Sequence, residues 1–309
     1  MGRVAMTSRA RRVAIVGGGP AGLSAAIELR RRGVGEVVVH EREQQAGGIP
    51  RHTNHLGFGI RDLHRVMGGP RYARALVDRA SRCGVDLRIG STVFAFDDLD
   101  ADAIVLATGV RERPRAARLV PGDRPTGVFT TGSIQQLAMA RRPVGTRAVI
   151  VGAEHVSFSA ILTLAHVGCR SVAMVTDLPR HQSYAVLKLA TATVRRVPLF
   201  TGVEIAEIDG HGRVERVVLT DGRSIDCDTV VFTGDWIPDH ELARREGLVI
   251  DPQFKGPVVD AEFRTSRDGV FAVGNLVHRV AAADRCAIDG RRAAASIVDY
   301  LDKRPRRGE

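Results

Sequence analysis

An α/β fold with a parallel sheet in each half of the chain is predicted by three observations. A glycine-rich turn, Gly17-Gly18-Gly19-Pro20-Ala21-Gly22, sits between an apolar strand run and a helical run. A second strand–Gly–helix–strand unit begins at Arg147 and echoes the one that begins at Arg12. The 309-residue chain is 44% hydrophobic, carries 33 glycines and is only 5% aromatic. That balance suits two domains with tight turns better than an all-β sandwich.

The first unit reads in order. Val13-Ala14-Ile15-Val16 is a short buried strand. Pro20 to Arg32 is a helix with apolar positions at Leu23, Ala26, Ile27 and Leu29 and Gly33 as its stop. Val37-Val38-Val39 is the next strand. The second unit runs through a strand at Ala148–Val151, a helix at Glu154–Val167, a stop at Gly168 and a strand at Val172–Val175. Strand-like runs follow between Val203 and Val231, with a hairpin turn at Asp221-Gly222. Asp289 to Leu301 reads as a closing helix.

The formal net charge is +10, almost all from arginine, since only Lys188, Lys255 and Lys303 are lysines. The arginines are spread along the chain without interleaved aromatics, so the expected surface is solvated and basic, with no nucleic-acid site. Cys83, Cys169, Cys227 and Cys286 form no C-x-x-C and share no metal-ligand spacing. The expectation is a reducing, cytoplasmic setting without disulfides or a bound metal. The first twelve residues are basic, but no apolar run follows them, so no secretory signal is expected. No stretch is long and apolar enough for a membrane span. The tail from Arg304 to Arg307 is expected to be frayed and solvated.

The turn is G-x-G-x-x-G between a strand and a helix. Gly17 permits the tight turn, Gly19 lets a pyrophosphate approach the backbone, and Gly22 lets helix and strand pack closely. Pro20 and Ala21 open the helix, whose free N–H groups and dipole suit phosphate. Glu41 follows the second strand, nineteen residues after Gly22, close to where an acid about twenty residues on binds ribose hydroxyls. The motif alone does not choose between FAD and NAD.

These landmarks continue with Gly47-Gly48, then Ile104-Val105-Leu106-Ala107-Thr108-Gly109, then Gly269-Val270-Phe271-Ala272-Val273-Gly274-Asn275. In order and spacing the series resembles the two-dinucleotide-domain flavoproteins of the pyridine nucleotide-disulfide oxidoreductase type. The resemblance implies two Rossmann-like domains, the second inserted in the first. An FAD-binding domain would take residues 11–118 and 241–309, and an NAD(P)-binding-like domain residues 119–240. It implies FAD on Gly17, Gly19, Pro20, Ala21, Gly22, Glu41, Gly48, Thr108, Gly109, Gly274 and Asn275. The family usually has Asp at the position of Asn275, so a charge is lost there.

By the same resemblance, the stretch from Ile49 to Gly59 runs beside the flavin ring. It holds no cysteine, so a dithiol relay is not expected. With Gly69-Pro70-Arg71-Tyr72-Ala73, it is similar to the accessory flavoprotein subunits of opine oxidase, hydrogen cyanide synthase and anaerobic glycerol-3-phosphate dehydrogenase. Relatives of that group often have a cysteine where this chain has Thr53. Arg51, His52 and His55 are the catalytic candidates, as donors to the reduced flavin or in proton transfer. The rival readings are ordinary polar loop residues and, less convincingly for want of a third ligand, metal ligands. His64 is expected at the surface.

At the second fingerprint, Val151-Gly152-Ala153-Glu154-His155-Val156-Ser157 keeps only the first glycine. Glu154 stands where backbone should approach phosphate, and its carboxylate opposes that with bulk and like charge. Ser157 replaces the third glycine. The alternatives are NAD(P)H bound weakly, another adenine nucleotide, or a fold kept as scaffold. Asp177 is a candidate for a ribose, and Arg180 and His181 for a phosphate, with solvated loop charges as the competing reading. Val230 to Asp235 mirrors the Ala107-Thr108-Gly109 crossing. Trp236, the only tryptophan, is expected to pack at a junction.

The expected activity is an FAD-dependent oxidoreductase lacking a redox dithiol. The leading form is an electron-transferring subunit of a heteromeric amine, amino-acid or polyol dehydrogenase. Its partner would be a flavoprotein or iron–sulfur subunit, and its substrate a small molecule. The alternatives are a stand-alone NAD(P)H-dependent flavoprotein reductase and a non-catalytic nucleotide-binding scaffold subunit.

Overall fold

A computed structural model describes residues 10–183 and 196–304. The readings for the basic residues before position 10 and for the tail beyond Arg304 lie outside them. Two compact units emerge. One contains the chain up to Arg51, Leu56–Arg111 and everything from Ile237 onward; the other contains His52–His55 and Glu112–Trp236.

The first unit is built on a five-stranded sheet in the order Val270–Ala272, Ala103–Leu106, Arg12–Val16, Glu36–Glu41, Asp86–Ile89. Every neighbouring pair is parallel. Arg12–Val16 lies at its centre, with Ile15 opposite both Val39 and Val105. Strands covered on both faces read as continuous apolar runs, which is why RVAIV and AIVL lack alternation. Helix Pro20–Arg31 follows the first strand and is covered around most of its circumference, with Leu23, Ile27 and Leu29 buried as well as Ser24, Ala25 and Ala26. Helix Gly69–Arg82 buries Tyr72, Leu76 and Ala80, spaced one turn apart.

The closing helix runs over Ala283–Asp302, starting well before the expected Asp289. Its first turns carry Asp284 and Cys286, both buried. Polar residues there hide the apolar period from a sequence reading, and packing supplies the helix. This helix lies against helix Pro20–Arg31 at backbone distance. A Cβ on Gly290 would sit 2.1 Å from the Ala21 carbonyl oxygen. Arg304 is not free, as expected of a frayed tail, but pairs with Asp268 and lies over the Tyr300 ring at 4.8 Å.

The second unit has its own five-stranded parallel sheet, ordered Leu199–Thr201, Arg170–Thr176, Arg147–Val151, Thr229–Phe232, Val128–Thr130. Helices Thr131–Met139 and His155–His166 pack beside it, with Ile134, Ile150, Phe158 and Leu164 in their shared core. An antiparallel three-stranded sheet, Ile205–Asp209, Arg216–Leu219 and Ser224–Asp226, is added. Its second turn is the Asp221-Gly222 hairpin, where Gly222 takes φ +85° and Asp221 Oδ1 accepts from Arg223 N. Among the described residues no helix is long and apolar enough to cross a membrane.

Candidate nucleotide and redox site

The first fingerprint is assembled from backbone that tolerates no side chain at Gly17 or Gly22. Gly17 takes φ +109°, and a Cβ there would lie 2.4 Å from the Ala107 carbonyl oxygen. The turn therefore passes the end of strand Ala103–Leu106 at backbone contact. A Cβ on Gly22 would lie 2.0 Å from the Gly17 carbonyl oxygen, so only glycine lets the helix start so close to the strand. At Gly19 the nearest atom to such a Cβ is the Gly48 Cα, 4.0 Å away. Gly48 takes φ +62° and faces Gly19 in turn, leaving a cradle walled by backbone.

Helix Pro20–Arg31 has no side-chain cap among the described residues and no acid in its first turn. Its first N–H groups and dipole are left for an anion. Glu41, buried at the end of the second strand, is held by two backbone donors: Gly18 N at 3.0 Å to Oε2 and Glu43 N at 2.9 Å to Oε1. Each carboxylate oxygen keeps a further lone pair for a ribose hydroxyl. Open cradle, uncapped helix and oriented acid fit the dinucleotide diphosphate and ribose of FAD.

The later landmarks border the same turn. Gly274 takes φ +70°, and a Cβ there would lie 2.8 Å from the Ala21 Cβ. Asn275 spends its side chain on its own loop, accepting from Ala281 N and donating to Ala281 O. Gly109 takes φ +76° with open space over it. Thr108 Oγ1 donates to the Asp239 carbonyl at 2.7 Å, and Asp239 N returns a bond to Gly109 O. The Asp239 side chain bridges Arg42 and Arg111. Burial pushes its carboxyl up, with Glu241 adding to the shift and the two arginines opposing it.

Of the catalytic candidates, Arg51 falls in the first unit and the two histidines in the second. Arg51 pairs with Glu43 and donates to Gly48 O at 3.4 Å, beneath the Gly47-Gly48 turn. His55 Nε2 lies 2.8 Å from Ser159 Oγ on helix His155–His166, and Gln135 reaches the same hydroxyl. His52 lines a small cavity with Asn54, Ala138, Met139, Thr163 and His166. Thr53 is buried and His64 is exposed.

The second fingerprint is closed by its own side chains. Gly152 takes φ +134°, and a Cβ there would meet Thr233 Oγ1 at 2.0 Å and Glu154 Oε2 at 2.8 Å. A Cβ on Gly234 would meet Glu154 Oε1 at 2.9 Å. The Glu154 carboxylate thus lies between the two glycines, at the mouth of helix His155–His166. Its Oε1 is buried and accepts no hydrogen bond among the described residues. Ser157 Oγ and Thr233 Oγ1 share a 2.6 Å hydrogen bond, with Thr233 also bonded to Val151 O, so the third position locks strand to helix through hydroxyls.

Two residues around this site carry no sequence signal. Arg118 donates to the carbonyls of Thr233 and Gly234 and stacks on Phe232. Burial holds its guanidinium below the usual range, opposed by Asp235, Glu112 and Glu154. Glu112 accepts from Gly132 N at 2.8 Å, while burial pushes its carboxyl up. Arg118 sits in an arginine-rich run where nothing distinguishes it from its neighbours. Asp177 and Arg180 are exposed, and the loop that carries Arg180 and His181 returns to the turn through Gln182 N and Ala153 O. Trp236 is half-buried in strand Trp236–Pro238.

All four cysteines are free. Burial pushes the thiols of Cys169 up to about 11 and those of Cys227 and Cys286 up to about 12, so these three are not thiolates near neutral pH. No His, Cys, Asp and Glu cluster able to hold a metal occurs among the described residues.

The model of the pyridine nucleotide-disulphide oxidoreductase family matches residues 11–290. The chain is 31% identical over 296 residues to the benzene 1,2-dioxygenase system ferredoxin–NAD(+) reductase subunit of Pseudomonas putida, covering 86% of this chain and 67% of that one. It is 25% identical over 335 aligned positions to an opine oxidase subunit of Agrobacterium tumefaciens, covering 92% and 65%. The chain thus spans about two thirds of the length of these relatives. In fold it is similar to the thioredoxin reductase of T. acidophilum, with a TM-score of 0.78, 24% identity and coverage of 94% and 99%. The Lactococcus lactis thioredoxin reductase gives 0.79 at 18% identity, with coverage of 96% and 100%. With a two-unit fold, a first fingerprint open to a dinucleotide and a family match over nearly its whole length, the chain belongs to the pyridine nucleotide-disulphide oxidoreductase family and is an FAD-dependent oxidoreductase.

Proposed function

We propose that this chain is an electron-transferring subunit of a heteromeric dehydrogenase. A partner flavoprotein or iron–sulfur subunit exchanges electrons with its FAD, and the oxidised substrate is an amine, amino acid or polyol. The observation that carries this reading is the Glu154 carboxylate lodged between Gly152 and Gly234. It puts negative charge and bulk where the second fold would receive a nicotinamide dinucleotide's pyrophosphate. That Cys169, Cys227 and Cys286 are free and buried supports an electron route other than an internal dithiol. The similarity to the opine oxidase subunit points the same way.

In this reading the first unit does the holding. Gly19 and Gly48 give the diphosphate its approach, the uncapped helix at Pro20 supplies N–H donors, and Glu41 fixes a ribose. Bound FAD supplies hydride and single-electron chemistry. Arg51, tied under Gly48, is a cation beside that cradle, and His52 and His55 are the candidate proton carriers.

A second reading is favoured by a specific observation. The identity to a ferredoxin–NAD(+) reductase subunit exceeds that to the opine oxidase subunit. In that case the second fold takes NAD(P)H despite Glu154, and the electrons leave to a ferredoxin-like acceptor. Anaerobic titration of the yellow protein with NADH and then NADPH separates the two. Flavin that stays oxidised, yet bleaches with dithionite, supports the heteromeric reading. Bleaching within seconds of adding either nucleotide overturns it in favour of the reductase.

A further inference from the structure

The loop that follows Gly274 is closed by two ties that the glycine fingerprint does not require. The first is Asn275, which lies across the Ala281 peptide: Oδ1 accepts Ala281 N at 2.9 Å and Nδ2 donates to Ala281 O at 3.3 Å. An amide matches both groups, whereas a carboxylate has no donor for the carbonyl. Asn275 Oδ1 also receives the Cys286 thiol at 3.2 Å.

The second tie is His278. Its Nδ1 lies 2.8 Å from the Arg279 carbonyl oxygen, and its Nε2 lies 2.7 Å from Asp289 Oδ2. A carbonyl and a carboxylate only accept, so both ring nitrogens must carry protons and the imidazolium is the form that satisfies the site. Asp289 is 1% exposed, on the face of the closing helix turned toward the loop. Arg285 Nε stands 3.2 Å from its other oxygen, near enough for an ion pair but outside hydrogen-bond geometry. Loss of the ring's charge would keep Nε2–H on Asp289 but set the Nδ1 lone pair against the Arg279 carbonyl oxygen, breaking the loop-side half of the tie.

We infer that His278 and Asp289 are a positioning pair for the flavin loop: the imidazolium pins residues 275–281 to the closing helix, and so sets how firmly the segment at Gly274 holds FAD. The inference rests on the reading of Gly274 as a flavin contact, which its approach to Ala21 at the first helix start supports.

The groups facing the ring are Asp289 and Arg285 on the closing helix and the Arg279 carbonyl on its own loop; Asp284 and Cys286 share the helix. The Asp289 hydrogen bond raises the ring's proton affinity above the ordinary 6.5, with burial and Arg285 pulling the other way. The sign follows from a folded value above the unfolded one. The Nδ1–H half of the tie, to the Arg279 carbonyl, is fully made below about 6.5 and is lost as pH rises through the raised value, while Nε2–H stays on Asp289.

The test uses the purified, FAD-loaded protein. Flavin release is followed by fluorescence after rapid dilution, from about pH 6 to 9, alongside NMR titration of the His278 ring. Release should quicken about tenfold across the ring's own midpoint, a 1.4 kcal/mol change. Asp289→Asn keeps the shape, removes the charge and should move that midpoint down by about one unit or more. His278→Gln should release flavin fast at every pH. Identical profiles for wild type and Asp289→Asn overturn the inference. If that variant fails to fold, the wild-type ring decides: a midpoint at or below about 6.5 overturns the pair. A colourless wild-type protein that takes up no FAD overturns the flavin reading itself and the pair's role with it.

Discussion

Glu41 Oε2 accepts the backbone N–H of Gly18 at 3.0 Å, so the acid at the end of the second strand is bolted to the middle of the glycine turn. The same carboxylate takes Glu43 N through its other oxygen. Two backbone donors orient it before any ribose arrives, and such preorganisation lowers the entropy lost on binding. Removing it strands the buried Gly18 N–H and, in the proposed site, the ribose hydroxyl that Glu41 would hold. Glu41→Ala should weaken FAD binding about tenfold to a hundredfold, on the order of 1.5–3 kcal/mol for lost bonds to a charged group. Titration of the apoprotein with FAD, read by flavin fluorescence quenching, checks this. An unchanged affinity would mean that the ribose is held elsewhere.

Glu154 offers the converse experiment. Its carboxylate rests against Gly152 and Gly234, with one oxygen accepting no hydrogen bond among the described residues. Glu154→Gly clears the bulk and the like charge from the turn and relieves a buried acceptor. Flavin reduction by NADH or NADPH should speed up by roughly tenfold or more, about 1.4 kcal/mol of recovered binding. The measurement is stopped-flow bleaching of the flavin at a fixed, subsaturating nucleotide concentration. No acceleration would assign the block to something other than this side chain.

Gly290 tests the packing rather than the chemistry. A Cβ there would come within 2.1 Å of the Ala21 carbonyl oxygen. Backbone cannot yield as a side-chain tip does, so Gly290→Ala should push the closing helix away from helix Pro20–Arg31. The expected cost is about 1–3 kcal/mol, or a fall of several degrees in Tm at roughly 2–4 °C per kcal/mol. Because Ala21 opens the helix under the first fingerprint, FAD retention should fall together with Tm. Calorimetry with and without added FAD reads both. An unchanged Tm would refute the close approach.

Much of the molecule is determined by sequence alone because the causes are local. The strands at Val13 and Ala148 are apolar runs, and the helix starts follow glycine turns whose backbone angles no other residue adopts cheaply. The Asp221-Gly222 hairpin is legible for the same reason. Glu41 is legible because a parallel strand–helix–strand unit fixes how far along the chain its acid falls. Tertiary structure decided the rest. The closing helix starts at Ala283 because Asp284 and Cys286 are buried by neighbours distant in sequence, such as the Arg61 N–H that reaches Asp284. Arg118 comes to Gly234, Gly290 to Ala21, and Asn275 to Ala281 and Cys286, through chain folding that no local period encodes. His278 and Asp289 look like a loop residue and a helix-face acid until packing strips the water from Asp289. Only then do the buried carboxylate at Nε2 and the Arg279 carbonyl at Nδ1 together call for a doubly protonated ring.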